Sequence, residues 1–93
     1  MGNPVLDRLQ RHGLRPRKEL GQHFLVDPNV LDRLVRSIGP APGQVILEYG
    51  AGLGVMTERL LDAGARVVAV ELDDELARVL DQELGRRPAF RLG

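Results

Sequence analysis

Two glutamates and a set of closely spaced glycines are the residues of this chain best placed to do chemistry. Glu48 follows a short apolar run at positions 45–47, and glycines then alternate at Gly50, Gly52 and Gly54. Glycine tolerates the positive φ of a sharp turn and, because it has no Cβ, lets a ligand lie against the backbone. A strand, an acidic residue, a glycine turn and a helix in this order are typical of a ligand site at the carboxyl edge of an α/β sheet.

The spacing of these glycines restricts the ligand. The dinucleotide fingerprint G-x-G-x-x-G would need its third glycine at Val55, and the chain has no G-K-[ST] phosphate loop. A carboxylate beside the turn repels a diphosphate, but it suits a ligand that carries an ammonium and a sulfonium. We therefore predict S-adenosylmethionine as the cofactor, with a nicotinamide-binding βαβ module as a distant alternative.

A second carboxylate follows the next predicted strand, at residues 66–70. Glu71 lies at the carboxyl end of that strand, 23 residues after Glu48. A spacing of about 20 residues is expected for the carboxylate that binds the ribose hydroxyls in a nucleotide-binding βαβ unit. We therefore predict that Glu71 binds the ribose; the alternative is that both glutamates only end their strands and meet solvent.

The elements that must position these residues are parallel strands joined by helices. Strands are predicted at residues 45–47, 66–70 and 88–92, and helices at residues 4–13, 28–38, 55–61 and 73–84, with Gly85 as the last C-cap. The first strand is expected to be buried on both faces. The predicted inward positions of the helices are Val5, Leu6 and Leu9, then Val30, Leu31, Leu34, Val35 and Ile38, and finally Leu76, Val79, Leu80 and Leu84. Ninety-three residues is one domain at most, with a core that is marginal for independent folding.

Charge is balanced over the whole chain but divided along it. Lys+Arg and Asp+Glu both number 13, yet residues 1–40 hold seven basic and four acidic residues, whereas residues 41–93 hold six basic and nine acidic ones. The segment from Arg8 to Lys18 contains five basic residues and no acidic one. Such a run is either a solvated tail or an arm that contacts phosphates, because nucleic-acid affinity rests mainly on Lys and Arg.

Composition excludes several other classes. The chain has no cysteine and only two histidines, which rules out disulfides and thiolate sites and leaves too few histidines for a metal cluster. No apolar run approaches the ~20 residues that a membrane span needs. The amino-terminal residues lack the apolar core of a secretory signal. A cytoplasmic protein without a metal is predicted.

Three stretches together carry a resemblance to a known family. They are Lys-Glu-Leu-Gly-Gln-His-Phe-Leu-Val-Asp at positions 18–27, Ile-Leu-Glu-Tyr-Gly-Ala-Gly-Leu-Gly at 46–54 and Val-Ala-Val-Glu-Leu-Asp at 68–73. This pattern closely resembles the ribosomal RNA adenine N6-dimethyltransferases, over residues 15–84. The resemblance implies a Rossmann-like S-adenosylmethionine-dependent methyltransferase fold, truncated here after about three parallel strands. It also implies dimethylation of two adjacent adenines in small-subunit ribosomal RNA.

Carried over position by position, the resemblance implies roles for individual residues. Those implied to bind the cofactor are His23 and Leu25 in a covering loop, Gly50 against the methionine part, Glu71 at the ribose, Glu48 near the amino group, and Gly52. Those implied to meet RNA are Arg15, Arg17 and Lys18. Residues 1–26 would form a basic helix and a cofactor-covering arm, and residues 27–93 would form the first part of the methyltransferase domain.

The chain departs from the family pattern in two ways. Tyr49 and Ala51 stand where the family usually has Ile and Pro, although neither change removes an assigned cofactor contact. The Asn-Leu-Pro-Tyr motif that grips the target adenine is absent, so no catalytic residue is assigned and the chain alone is expected to be inactive. The alternatives are a large-subunit RNA methyltransferase of the antibiotic-resistance type and a non-catalytic RNA-binding fragment.

Overall fold

The computed structural model describes residues 4–14 and 28–93, and this part of the chain alternates helices with parallel strands. Its elements are α1 (Pro4–Arg11), α2 (Pro28–Ile38), β1 (Val45–Tyr49), α3 (Val55–Asp62), β2 (Arg66–Val70), α4 (Asp74–Leu84) and β3 (Phe90–Leu92). The strands form one sheet in the order β1-β2-β3, and both pairings are parallel. The predicted α/β fold with three parallel strands is confirmed.

One face of the sheet packs against the helices. Its main cluster of buried side chains joins Val67 and Ala69 of β2 to α3, α4 and β3 through Leu60, Leu61, Ala65, Leu80, Leu84 and Phe90. All four positions predicted to face inward from α4 are 3% exposed or less. The pattern of α4 was clear because its leucines and valine recur at spacings of three and four residues.

The opposite face of β1 contradicts the prediction that this strand is buried on both sides. Val45, Leu47 and Tyr49 are 65%, 54% and 75% exposed. Side chains alternate between the two faces of a strand, and the described helices cover only the face that carries Ile46. The exposure of Tyr49 also means that its hydroxyl does not need a buried partner.

The predicted inward face of α2 is correct only in part. Leu31 is 2% exposed, whereas Leu34 and Ile38 are 36% and 45% exposed. Val30 and Val35 have intermediate exposure. An apolar stripe shows which side of a helix prefers burial, but it does not show how far the neighbouring elements extend.

Helix α1 joins a second buried cluster, beside the glycine turn. Val5 and Leu9 pack there with Leu31, Leu53, Val55, Leu76 and Val79. Leu6, predicted to face inward, is 50% exposed, and Arg8 is buried instead, at 4% exposure. Positions 8 and 9 lie three and four residues after position 5 and flank it on one helical face, whereas position 6 is turned by about 100° from position 5.

The predicted ends of the helices agree with the structure to within two residues, with the largest difference in α1, which ends at Arg11. Helix α2 begins at Pro28, the residue predicted to be its first. Asp73 caps α4 by accepting a hydrogen bond of 3.0 Å from the backbone N–H of Leu76, and Gly85 is its C-cap. Within residues 4–14 and 28–93, no helix is long and apolar enough to cross a membrane. The proposed domain boundary at residue 26 lies outside the described residues and stays a prediction.

Candidate functional site

The glycine turn between β1 and α3 has the backbone conformation expected of it. Gly50, Gly52 and Gly54 have φ values of 69°, 62° and 81°, in the left-handed region that favours glycine. The N–H of Gly50 donates to the carbonyl of Val70 at 2.8 Å, which prolongs the contact between β1 and β2. The N–H of Gly54 donates to the carbonyl of Ala51 at 3.0 Å and closes the turn before α3 begins.

The three glycines differ in their surroundings. A Cβ at Gly50 would meet no atom within 4 Å, and one at Gly52 would meet only the carbonyl oxygen of Gly50, at 4.0 Å. A Cβ at Gly54 would lie 2.6 Å from Cδ2 of Leu80 and 3.1 Å from Cδ1 of Leu84. The first two glycines therefore leave open backbone that a ligand can approach, whereas the third allows α4 to pack closely.

Glu71 contacts the glycine turn directly. Its Oε1 accepts a hydrogen bond of 2.8 Å from the N–H of Gly52, and its Oε2 accepts one of 3.0 Å from the N–H of Asp73. An ionised carboxylate offers about four acceptor positions, so these two bonds leave capacity for the hydroxyls of a ligand. Two residues predicted to bind one cofactor are thus adjacent at the carboxyl edge of the sheet.

Glu48 lies near the end of β1 and is held by a side chain that was not predicted as part of the site. The hydroxyl of Thr57, a fully buried residue of α3, donates to Oε1 of Glu48 at 2.5 Å. Burial raises the pKa of the Glu48 carboxyl above its ordinary value, and the bond from Thr57 opposes that rise. The available signal was a polar residue on the inward face of a helix directly after a glycine turn.

We expect Thr57→Val to raise the pKa of Glu48 further and to destabilise the fold. The substitution keeps the volume but removes the donor, and the loss of this hydrogen bond to the half-buried carboxylate of Glu48 should cost about 1 kcal/mol. Carbon-13 NMR titration of the glutamate carboxyls gives the pKa, and urea unfolding at neutral pH gives the free energy. Thr57→Ser, which keeps the hydroxyl, is the control and should stay near the wild type in pKa. Equal pKa values in the valine and serine variants would contradict the assigned contact.

The first part of the basic segment is engaged inside the protein. Arg8 donates from Nη1 to the carbonyl of Leu53 at 2.8 Å and from Nη2 to Glu58 at 2.9 Å. Arg11 donates from Nη2 to Oε1 of Glu83 at 2.8 Å, although its side chain stays 56% exposed. The hypothesis that the phosphate-contacting arm begins at Arg8 is therefore wrong, because a buried guanidinium cannot reach a nucleic acid.

Five residues assigned through the resemblance are not among those that the structure describes. They are His23 and Leu25, implied to bind the cofactor, and Arg15, Arg17 and Lys18, implied to bind RNA. Their roles stay predictions. In the two described ranges, no group of three or more His, Cys, Asp or Glu side chains is arranged to hold a metal ion.

Comparison with known proteins identifies relatives of this chain. The ribosomal RNA small subunit methyltransferase A of Anaeromyxobacter dehalogenans is 54% identical over 79 residues, which are 85% of this chain and 28% of that protein. The chain spans about a third or less of the length of the curated relatives that it matches.

Two solved structures share the fold. A candidate RNA methyltransferase from Pyrococcus horikoshii is 32% identical and has a TM-score of 0.70, covering 85% of this chain and 42% of that one. A glycopeptide N-methyltransferase in complex with S-adenosylmethionine is 29% identical and has a TM-score of 0.55, covering 69% of this chain and 30% of that one.

The match to a family extends over most of the chain. Residues 13–90 match the family described as ribosomal RNA adenine dimethylase, and this range includes the glycine turn and both glutamates. The chain therefore belongs to the ribosomal RNA adenine dimethylase family of S-adenosylmethionine-dependent methyltransferases.

Proposed function

We propose that this chain carries the cofactor-binding part of an enzyme that dimethylates N6 of adjacent adenines in small-subunit ribosomal RNA. The observation that supports this most directly is the hydrogen bond between Glu71 and the N–H of Gly52. It brings together the carboxylate proposed for the ribose and the backbone proposed for the methionine part. The family match and the relatives named for small-subunit RNA support the same substrate.

The residues present suit S-adenosylmethionine in charge and in the accessibility of their backbone. The open backbone at Gly50 and Gly52 would lie against the methionine part, and Glu71 would accept from the ribose hydroxyls. Glu48, held by Thr57, would face the ammonium end. When bound, S-adenosylmethionine would supply an electrophilic methyl group, carried on a positively charged sulfur, for transfer to N6 of adenine. These residues bind and orient the cofactor, and positioning is a large part of such a reaction.

We expect the chain by itself to bind the cofactor without transferring its methyl group. No Asn-Leu-Pro-Tyr motif occurs in residues 1–93, so the groups implied to hold the adenine amine are not among them. The partner in the proposed reaction is small-subunit RNA, free or in a precursor particle, which would place the reaction in the cytoplasm. Methyl transfer to small-subunit RNA by the purified chain would contradict this expectation.

The non-catalytic RNA-binding alternative is weakened by the burial of Arg8. Of the five basic residues in the proposed arm, Arg8 is enclosed and Arg11 is paired with Glu83. RNA contact would therefore rest on Arg15, Arg17 and Lys18. Neither the family match nor the relatives reported above favour the large-subunit substrate.

Glu71→Gln should weaken the binding of S-adenosylmethionine by roughly 10- to 100-fold, because hydrogen bonds to a charged group contribute about 1.5–3 kcal/mol. Isothermal titration calorimetry measures the affinity. Glu75→Gln makes the same chemical change at an exposed position of α4 and should bind like the wild type. Circular dichroism checks that all three proteins are folded. Folded wild-type protein that does not bind the cofactor would overturn the proposed function, whereas unchanged affinity in Glu71→Gln would overturn only the role of Glu71.

A further inference from the structure

The guanidinium of Arg8 connects α1 to the glycine turn. It is 4% exposed, and its Nη1 donates to the carbonyl of Leu53, 45 residues later in the chain, at 2.8 Å. Its Nη2 donates to Glu58 at 2.9 Å. An arginine is suited to this place because its planar fork can hold two acceptors in a fixed relative orientation.

Glu83 is the third partner of Arg8, and it contributes a negative charge without fixing the orientation of the guanidinium. Oε1 of Glu83 lies 3.4 Å from Nε of Arg8, close enough for an ion pair. Among the described residues, that Nε is nevertheless a buried donor without a hydrogen-bond partner. The orientation of the guanidinium is therefore set by Leu53 and Glu58, the two groups to which it does donate.

The peptide group that receives this bond lies inside the turn. The carbonyl of Leu53 and the N–H of Gly54 belong to one planar unit, and that N–H donates to Ala51 at 3.0 Å. Both ends of the unit are thus held, one by Arg8 and one by the turn itself. The neighbouring N–H of Gly52 is held by Glu71 at 2.8 Å.

The hydrogen bonds from Arg8 and Glu71 matter because the glycine turn, by itself, can adopt several backbone conformations. Three glycines in five residues adopt positive φ, and glycine also populates negative φ with similar ease. A turn that exchanges between conformations loses affinity in proportion to the time that it spends in the incompetent ones.

We propose that Arg8 is a positioning residue, which holds the Leu53–Gly54 peptide and thereby keeps the glycine turn in its cofactor-binding shape. Arg8 does not itself contact the cofactor. Its removal loosens the turn selectively, and cofactor affinity falls more than the loss of overall stability explains. The affinity part rests on the proposed function, whereas the ordering of the turn can be measured without any ligand.

The test compares Arg8→Met with Val5→Ala in the full 93-residue chain. Val5 is buried on the same helix, at 4% exposure, so its truncation weakens the packing of α1 without removing the bond to Leu53. The first readout is amide hydrogen exchange of the ligand-free chain. It compares Gly54 in the turn with Val67 of β2, whose N–H donates to Ala89 at 2.9 Å.

In Arg8→Met we expect exchange at Gly54 to quicken by roughly tenfold relative to Val67, as for the loss of one charge-assisted hydrogen bond. In Val5→Ala the two amides should quicken together. The second readout is calorimetric affinity for S-adenosylmethionine, expected to fall by about five- to tenfold in Arg8→Met and by less than about twofold in Val5→Ala. Arg8→Lys keeps one donor and should recover part of both effects.

The possible outcomes distinguish the positioning role of Arg8 from the proposed function of the chain. Equal quickening of Gly54 and Val67 in Arg8→Met would overturn the positioning role, whatever the affinity. A selective effect at Gly54 supports it even if the wild type does not bind S-adenosylmethionine, a result that would count against the proposed function alone. If Arg8→Met does not fold, Arg8→Lys carries the same comparison, and unselective exchange in that variant overturns the proposal.

Discussion

Replacing Gly54 with alanine should lower the free energy of unfolding by roughly 2–5 kcal/mol, because strain in the backbone and crowding in the core add together. The backbone at Gly54 has φ of 81°, where an alanine pays the cost of the left-handed region. Its Cβ would also lie 2.6 Å from Leu80 and 3.1 Å from Leu84, two of the most deeply buried side chains. Neither leucine can move without disturbing the cluster that joins α4 to the sheet.

The matched control for this effect is Gly50→Ala. Gly50 also has positive φ, at 69°, but its added Cβ would meet no atom within 4 Å. Only the backbone term applies there, so we expect a loss of about 1–2 kcal/mol. Urea unfolding followed by circular dichroism measures both variants against the wild type. Equal losses at the two positions would show that crowding by α4 contributes nothing, and would contradict the close packing described here.

Local chemistry made much of the fold predictable. Helix α4 and its C-cap Gly85 follow directly from spacing and residue type, and so does β2, although Asp73, predicted as the first helical residue, is the N-cap. The turn was predictable because few residues other than glycine adopt its backbone conformation. The contact of Glu71 with Gly52 could be anticipated only as a shared location, since the carboxyl ends of parallel strands meet at one edge of a sheet.

The predictions that were wrong, for the burial of β1 and the exposure of Arg8, depended on contacts between distant parts of the chain. Whether Val45 and Leu47 are buried depends on which faces of the sheet are covered by helices. Their apolar character does not reveal this, and both are exposed. Arg8 looked like part of a basic surface because its partners, Leu53 and Glu58, are 45 and 50 residues away. Long-range pairing of charges is therefore the information that a local pattern lacks.

Glu83 is the centre of a cluster of side-chain contacts that the sequence analysis did not predict. Its carboxylate lies 3.4 Å from Arg8, accepts a hydrogen bond of 2.8 Å from Arg11, and is 2.7 Å from Nε2 of His12. Burial by itself raises the pKa of Glu83. The hydrogen bonds from His12 and Arg11 and the charges of the two arginines outweigh it, and they hold that pKa below its ordinary value. The side chain is 16% exposed, so solvent screens these interactions only in part.

Glu83→Ala should therefore destabilise the chain by about 2–3 kcal/mol at neutral pH, because the buried guanidinium of Arg8 then keeps only Glu58 as a counter-charge, and Arg11 loses its hydrogen bond to the carboxylate. The folded-state pKa of Glu83 lies below the unfolded value of about 4.5, so its stabilisation is present above that pH and is lost as pH falls through the folded-state pKa. Urea unfolding at several pH values should show the wild type and Glu83→Ala converging on acidification.

The control, Asp62→Ala, breaks the exposed pair with Arg87 and should cost no more than about 1 kcal/mol. A further comparison is the double variant Arg8→Met/Glu83→Leu, which removes both charges and leaves apolar side chains of similar size. It should be less destabilised than the sum of its two single variants, because each single variant weakens the pairing of a charge that stays largely buried, whereas the double variant removes both charges. Strict additivity, or a difference between wild type and Glu83→Ala that persists at low pH, would show that the carboxylate contributes through packing rather than through its charge.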